Sequence, residues 1–237
     1  MPRTASRQPA RGPLDSIVAR AGGVCVARPQ HSVAVNYGSA AGELAACVSA
    51  VGLADRSDLT KLALRAAPAA LDEIVSRFAG ATIAPAGALP AAGAWWCAAR
   101  PGTTIVVAEP ERGGRLHDQL RAFAVRLPAV RIEDRSGDWA ALALVGRRAS
   151  PLLRALGVYG DHGDPRRARP LTSHPLAGAP CLWLLESDDQ ALALVAREQA
   201  AVAWTAIERA GRALGICAVG REAVARYGLI RRVRTSI

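Results

Sequence analysis

The sequence predicts an α+β fold made of two similar strand–turn–helix units related by a pseudo-twofold axis. Three observations carry that reading. The triplet Asp55-Arg56-Ser57 recurs as Asp134-Arg135-Ser136. Each triplet leads into a strand-like run, Lys61-Leu62-Ala63-Leu64 and then Ala141-Leu142-Ala143-Leu144. Each run is followed by a small-residue turn and a helix with one apolar face. The copies are offset by 79 residues at the triplets and 80 at the strands, so one insertion separates them. Ordered recurrence at one spacing is the mark of an internal duplication. The two units are expected over about residues 50–130 and 131–230, inside a core that spans 13–237 after a disordered basic tail over 1–12.

The elements follow in order. Residues 14–21 read as a short helix, capped by Asp15 or Ser16 and stopped by Gly22-Gly23. Residues 24–26 and 32–35 read as strands. Residues 40–51 carry Leu44, Cys47, Val48 and Val51 at helical spacing. The helix after the first repeat strand covers 68–79, with Leu71, Ile74, Val75 and Phe78 on one face and Pro68 in its first turn. Residues 95–99 and 103–108 form two strands joined at Arg100-Pro101-Gly102, a turn sequence. Residues 114–125 are helical, with Leu116, Leu120 and Phe123 inward. The second repeat helix covers 149–156 and stops at Gly157. A long polar loop over 158–175 precedes a hairpin, 180–186 and 190–196, closed by Ser187-Asp188-Asp189. A helix over 198–210 carries Val202, Trp204 and Ile207 inward. A short strand at 216–219 and a last helical turn or two at 222–227 complete the chain.

The composition narrows the function classes. The chain is 51% hydrophobic and 21% charged, which provides the apolar surface a packed core needs. The net charge is +10, and Lys61 is the only lysine. The arginines are scattered and aromatics are only 4%, which weighs against a nucleic-acid surface. No apolar segment follows the N-terminal arginines, as a secretory leader would require. The longest uncharged stretch, 79–99, is broken by Pro85 and Pro90, so no membrane span is expected. Five widely spaced cysteines without a C-x-x-C pair suggest reduced thiols in the cytoplasm and no structural zinc. Asp161-His162-Gly163-Asp164 lacks a rigid third ligand, so no metal is expected there. No phosphate-binding glycine loop, nucleophile elbow or H-E-x-x-H motif is present.

Three stretches resemble the glycine-cleavage T-protein (aminomethyltransferase) superfamily. VGLADRSDLTKLAL, residues 51–64, is similar to that family's D-x-S-x-x-x-K segment through Asp55, Ser57 and Lys61, with Thr60 where the family has glycine. Residues 132–156 are similar to its second unit, with Gly146 in place and Arg147 in the position of a proline. Residues 203–220 match its W-x-x-L-x-x-A-G helix and turn through Trp204, Ala210, Gly211, Gly215 and Gly220. The resemblance implies the T-protein core, without the family's C-terminal β-barrel, since the sequence ends at Ile237. The family's catalytic N-x-x-G-G-I-L-D-D segment has no counterpart here, and its glycine-rich pterin hairpin is replaced by residues 183–189. In pattern the chain is similar to the γ subunit of heterotetrameric sarcosine oxidases. That implies a non-catalytic folate-binding-like subunit of an amine-oxidising enzyme in one-carbon metabolism, with larger flavoprotein subunits or a second copy as partner. The alternative is a stand-alone tetrahydrofolate-dependent aminomethyltransferase.

The resemblance also implies site residues. Glu186 stands nearest the family's pterin carboxylate; the alternative is a solvated residue at a hairpin tip. Arg226 lies in the segment equivalent to the family's L-R-L-E, out of register by two, where an arginine would suit the carboxylates of a folate tail. Tetrahydrofolate is the implied cofactor. Asp118 is read as a helix surface residue. Asp55, Ser57, Asp134 and Ser136 are read as turn braces that hydrogen-bond the backbone. Trp95, Trp96, Trp139 and Trp183 lie on or near strands. Adjacent Trp95 and Trp96 must face opposite sides of their sheet, so a covering chain is expected over at least one face.

Overall fold

The computed structural model describes residues 12–27, 32–127, 129–159 and 171–235, with side chains as far as Arg231. Residues 1–11 of the expected tail, and Asp161-His162-Gly163-Asp164, lie outside the described residues.

Helix α1 (Asp15–Arg20) leads into a two-stranded hairpin, β1 (Val24–Ala27) and β2 (Ser32–Asn36). Ser39 caps α2 (Ala40–Ser49), its hydroxyl accepting from Gly42 N at 3.1 Å. Then come β3 (Val51–Asp55), β4 (Thr60–Arg65), α3 (Pro68–Ala79), β5 (Ala88–Ala91), β6 (Ala94–Arg100), β7 (Thr103–Ala108) and α4 (Pro110–Ala124). Proline opens both α3 and α4, where its missing N–H has no intrahelical partner to lose. The second half runs β8 (Arg131–Asp134), β9 (Trp139–Val145), α5 (Ala149–Ala155), β10 (Leu171–Ser173), β11 (Cys181–Ser187), β12 (Gln190–Ala196), α6 (Ala200–Gly211), β13 (Ile216–Ala218) and α7 (Arg221–Thr235).

Two large sheets stand back to back, each backed by its own helices. One has the order β5-β6-β7-β4-β8 and the other β10-β11-β12-β9-β3-β13. All neighbours are antiparallel except β13 and β3. Strand β3 precedes the triplet of the first sheet yet pairs with β9 in the second, while β8 precedes β9 yet pairs with β4 in the first. The period-2 alternation of strands divides the residues among three clusters. Along β9, Ala140, Leu142 and Leu144 face the α1, α5 and α6 layer; Ala141, Ala143 and Val145 face the opposite sheet. Along β7, Ile105 and Val107 face between the sheets, and Val106 packs with Leu71, Ile74, Leu116 and Leu120 of α3 and α4.

Both triplets turn the chain in the same way. Asp55 Oδ1 accepts from Ser57 N at 2.9 Å, and Asp134 Oδ1 accepts from Ser136 N at 2.9 Å. Each serine hydroxyl then reaches the strand of the other copy. Ser57 Oγ accepts from Ala141 N at 3.2 Å, and Ser136 Oγ accepts from Lys61 N at 2.9 Å. The backbone crosses too: Arg56 N donates to Ala141 O and Arg135 N to Lys61 O, both at 2.8 Å. Asp55, Ser57 and Ser136 are buried, whereas Asp134 is exposed.

Several sequence expectations are corrected. The last helix is not a turn or two but fifteen residues, α7, because it packs on α2 and β2 although its arginine-rich face is not apolar. Val202 points outward at 50% exposure, since the inward face of α6 is set by Ala203, Trp204 and Ile207. Val51 belongs to β3, and Val48 is exposed. Trp96 and Trp183 need no second chain to cover them, being 0% exposed under their own helical layers. Their indoles donate to Ala91 O and His174 O at 3.3 and 3.1 Å. Trp95 and Trp139 are half-buried beside the cluster between the sheets. No helix among the described residues is long and apolar enough to cross a membrane. All five cysteines are free thiols.

Candidate functional site

A cavity of about 730 Å3 opens where the two sheets part beneath α7. Its apolar walls come from Leu59, Trp95, Val107, Leu192 and Val224. Its polar groups are Arg56, Glu109, Glu111, Glu186, Gln190, Arg221 and Arg231. An apolar pocket with a few convergent polar groups is the usual form of a small-molecule site.

Glu186 enters this cavity because of a bulge. The β11–β12 ladder pairs Leu185 with Ala191 and then Ser187 with Gln190, leaving Glu186 unopposed. An unopposed residue re-aims its side chain out of the pleat. The β6–β7 ladder carries the same kind of shift between Ala98 and Arg100, with Ala99 unopposed. Glu186 therefore lines the cavity and is partly buried, rather than lying at a solvated tip. Desolvation pushes its carboxyl up to about 7, opposed by the positive charges of Arg231 and Arg56.

Arg56 forms the floor of the polar side. Its Nη2 donates to both carboxylate oxygens of Glu109, at 2.9 and 2.7 Å, and its Nε donates to Asp58 Oδ1 at 3.0 Å. Burial would weaken the guanidinium charge, but the two carboxylates hold it above its ordinary range. Arg221, at the start of α7, closes the network: it donates to Glu111 at 3.1 Å and lies 3.8 Å from Asp58 and from Glu109. Asp58 Oδ2 is buried without a hydrogen bond, facing Arg221. At the other end of the cavity, Arg231 donates to Ser187 Oγ at 2.8 Å and Gln190 Oε1 at 2.5 Å, and lies 3.6 Å from Asp189. Tyr227 adds a hydroxyl bond to Asp189 at 2.9 Å.

The structure does not bring Arg226 to Glu186. Arg226 pairs with Glu222 on the outer side of α7, half-exposed, and does not line the cavity. The arginines that do line it, Arg56, Arg221 and Arg231, escape a sequence reading because each is held by a partner at least 41 residues away, Glu109, Glu111 and Gln190 respectively. The bulge that aims Glu186 has no sequence signature either. Asp118 is exposed on α4, away from the cavity. Below the site, Lys61 is fully buried and its Nζ donates to Ser57 O at 2.9 Å. Burial lowers the Lys61 ammonium to about 8 and raises the Asp55 carboxyl to about 6. No cluster among the described residues could hold a metal ion.

With the fold and cavity defined, two solved structures are similar to this chain over most of its length. One is a chain of the heterotetrameric sarcosine oxidase from Corynebacterium sp. U-96, solved in complex with pyrrole 2-carboxylate. It aligns at a TM-score of 0.64 with 19% identity, over 88% of this chain and 97% of that one. The other is the glycine cleavage system aminomethyltransferase T from Bartonella henselae, at a TM-score of 0.70 with 16% identity, over 91% of this chain. The chain spans 61% of that aminomethyltransferase's length. These are likenesses of fold, and they agree with the resemblance drawn from the motifs. No family model matches the chain, and no curated protein matches it in sequence.

Proposed function

We propose that this chain is a non-catalytic, folate-binding-like subunit of a multi-subunit amine-oxidising enzyme of the sarcosine-oxidase kind. It acts in one-carbon metabolism in the cytoplasm, beside larger flavoprotein subunits. The observation that carries the reading is the fold match over 97% of a chain belonging to a heterotetrameric enzyme of that kind. The cavity supports tetrahydrofolate as ligand. Trp95 offers a flat wall and Glu186 a carboxyl for the donors of a pterin ring. The non-catalytic part rests on the carboxylates present. Glu109 and Glu111 are engaged by arginines, and the T-protein catalytic segment has no counterpart in the sequence. The core is best understood as two duplicated units, about 50–130 and 131–230. The reciprocal serine braces and the paired bulges at Ala99 and Glu186 support that division.

Two measurements test the proposal. Affinity purification at native abundance from the source organism should bring down a flavoprotein in fixed stoichiometry, recognised by its flavin absorbance. A monomer without a flavoprotein would overturn the subunit role. Calorimetry with 5-formyltetrahydrofolate should show binding that Glu186→Gln weakens at least tenfold. Equal affinity in that variant would remove the cavity from the folate reading.

A further inference from the structure

The charged groups around the cavity are not evenly matched. Each guanidinium that lines it among the described residues is already in an ion pair. Arg56 lies between Glu109 and Asp58, Arg221 among Glu111, Glu109 and Asp58, and Arg231 beside Asp189. Glu186 stands apart. The bulge in β11 turns it into the cavity, where it forms no hydrogen bond and no ion pair among the described residues. A carboxyl without a partner in a desolvated pocket favours whatever brings it a donor and a positive charge. An anion entering the same space meets only arginines that carboxylates already hold. Trp95 and the apolar side chains of Leu59, Val107 and Val224 line this space too. An indole attracts cations through its ring quadrupole, and the apolar walls suit carbon substituents.

We propose that the cavity binds a protonated organic amine, with its N–H donated to the Glu186 carboxylate and its carbon substituents against Trp95 and the apolar wall. This goes beyond the folate reading and needs only that the cavity take a ligand. The ring donors of a pterin and the N–H of an ammonium make the same demand of Glu186, so the two compete for it. The ammonium makes that demand more strongly, because its hydrogen bond is between two opposite charges. The net charge of +10 disfavours loose binding of cations elsewhere on the chain, so selective uptake of an ammonium reports on this cavity.

The test titrates the full chain, without folate, with N,N-dimethylbenzylammonium as probe and phenylacetate as an anion of similar ring and size. Nitrogen-15 labelling resolves the indole N–H signals, and the Trp95 signal is the one lost in Trp95→Phe. The ammonium should shift that signal to saturation and bind at least roughly tenfold more tightly than phenylacetate. Glu186→Gln keeps the size of the side chain and removes its charge; it should weaken the ammonium at least roughly tenfold and leave phenylacetate no weaker. Should that variant fail to fold, benzyltrimethylammonium serves on the wild type. It keeps the ring and the charge but has no N–H, and should bind at least roughly threefold more weakly than the probe. An unmoved Trp95 signal, equal affinity for ammonium and phenylacetate, or full ammonium affinity in Glu186→Gln would overturn the proposal. So would equal affinity for the quaternary ion if Glu186→Gln does not fold. Calorimetry with 5-formyltetrahydrofolate is read separately: amine binding without folate binding leaves this inference standing, and folate binding without amine binding sinks it alone.

Discussion

Replacing Ser136 by alanine removes one oxygen from the interior and leaves a backbone donor without a partner. Ser136 and Lys61 are both 0% exposed, and the Lys61 amide donates to Ser136 Oγ at 2.9 Å. Water cannot reach that amide once the hydroxyl is gone. The cost is the desolvation of a buried N–H, about 1–3 kcal/mol, rather than the smaller net worth of an exchanged hydrogen bond. For a chain of this length each kcal/mol lowers the melting temperature by about 2–4 °C. A mid-range loss of about 2 kcal/mol thus appears as a fall of about 4–8 °C. Ser57→Ala should behave alike but at the lower end, because its bond to Ala141 N is longer, 3.2 Å. Ser49→Ala is the control: its hydroxyl donates to Ala45 O on an exposed helix face, and the change should stay within about 0.5 kcal/mol. Urea unfolding followed by fluorescence and by circular dichroism gives all three values on one scale. Should Ser136→Ala match the Ser49→Ala control, the crossed serine braces carry no stability and the reasoning fails.

Trp183→Ala should cost about 3–5 kcal/mol in the same assay, since the ring is fully buried and its indole also satisfies His174 O; Trp183→Phe should cost clearly less. Gly113→Ala places a Cβ 2.0 Å from Thr60 Oγ1, so it should destabilise by about 1–3 kcal/mol, and Thr60→Gly in the same chain should recover part of that loss. The folded Glu186 pKa, about 7, lies above the unfolded value, so its contribution is complete below about pH 4.5 and is lost as pH rises through 7. Wild type should therefore lose stability between pH 4.5 and 7 relative to Glu186→Gln, and parallel pH–stability curves would contradict the burial of that carboxyl.

The parts of the fold legible in the sequence are those whose signal is local. Leu71, Ile74 and Val75 marked α3 through helical spacing, and Arg100-Pro101-Gly102 marked the β6–β7 turn. Strands β5 and β8 were not legible. The first contains Pro90 and only four residues, and the second has charged Arg131, Glu133 and Asp134; both lie at the edges of their sheet, where no buried face imposes a pattern. At the site, Glu186 was legible only through the resemblance. The arginines around it are brought in by tertiary packing of α7, and a helix rich in arginine with Gly228 at its centre does not announce which face turns inward. Glu43 was missed for the same reason: its two oxygens accept from Tyr37 N and Gly220 N, the second 177 residues away.

The exchange of β3 and β8 between the sheets has a consequence for how the chain could be divided. Neither half of the polypeptide owns a complete sheet. A fragment ending near residue 128 keeps β3 but loses its antiparallel partner β9, and leaves one edge of β4 open where β8 belongs. The complementary fragment carries β8 without β4, and exposes the edge of β9. Each piece thus presents an unpaired strand edge that the other fits, so the two behave as ligands for one another rather than as separate domains. The same geometry makes assembly a late event in folding, because the sheets close only when segments some 70 to 90 residues apart have met.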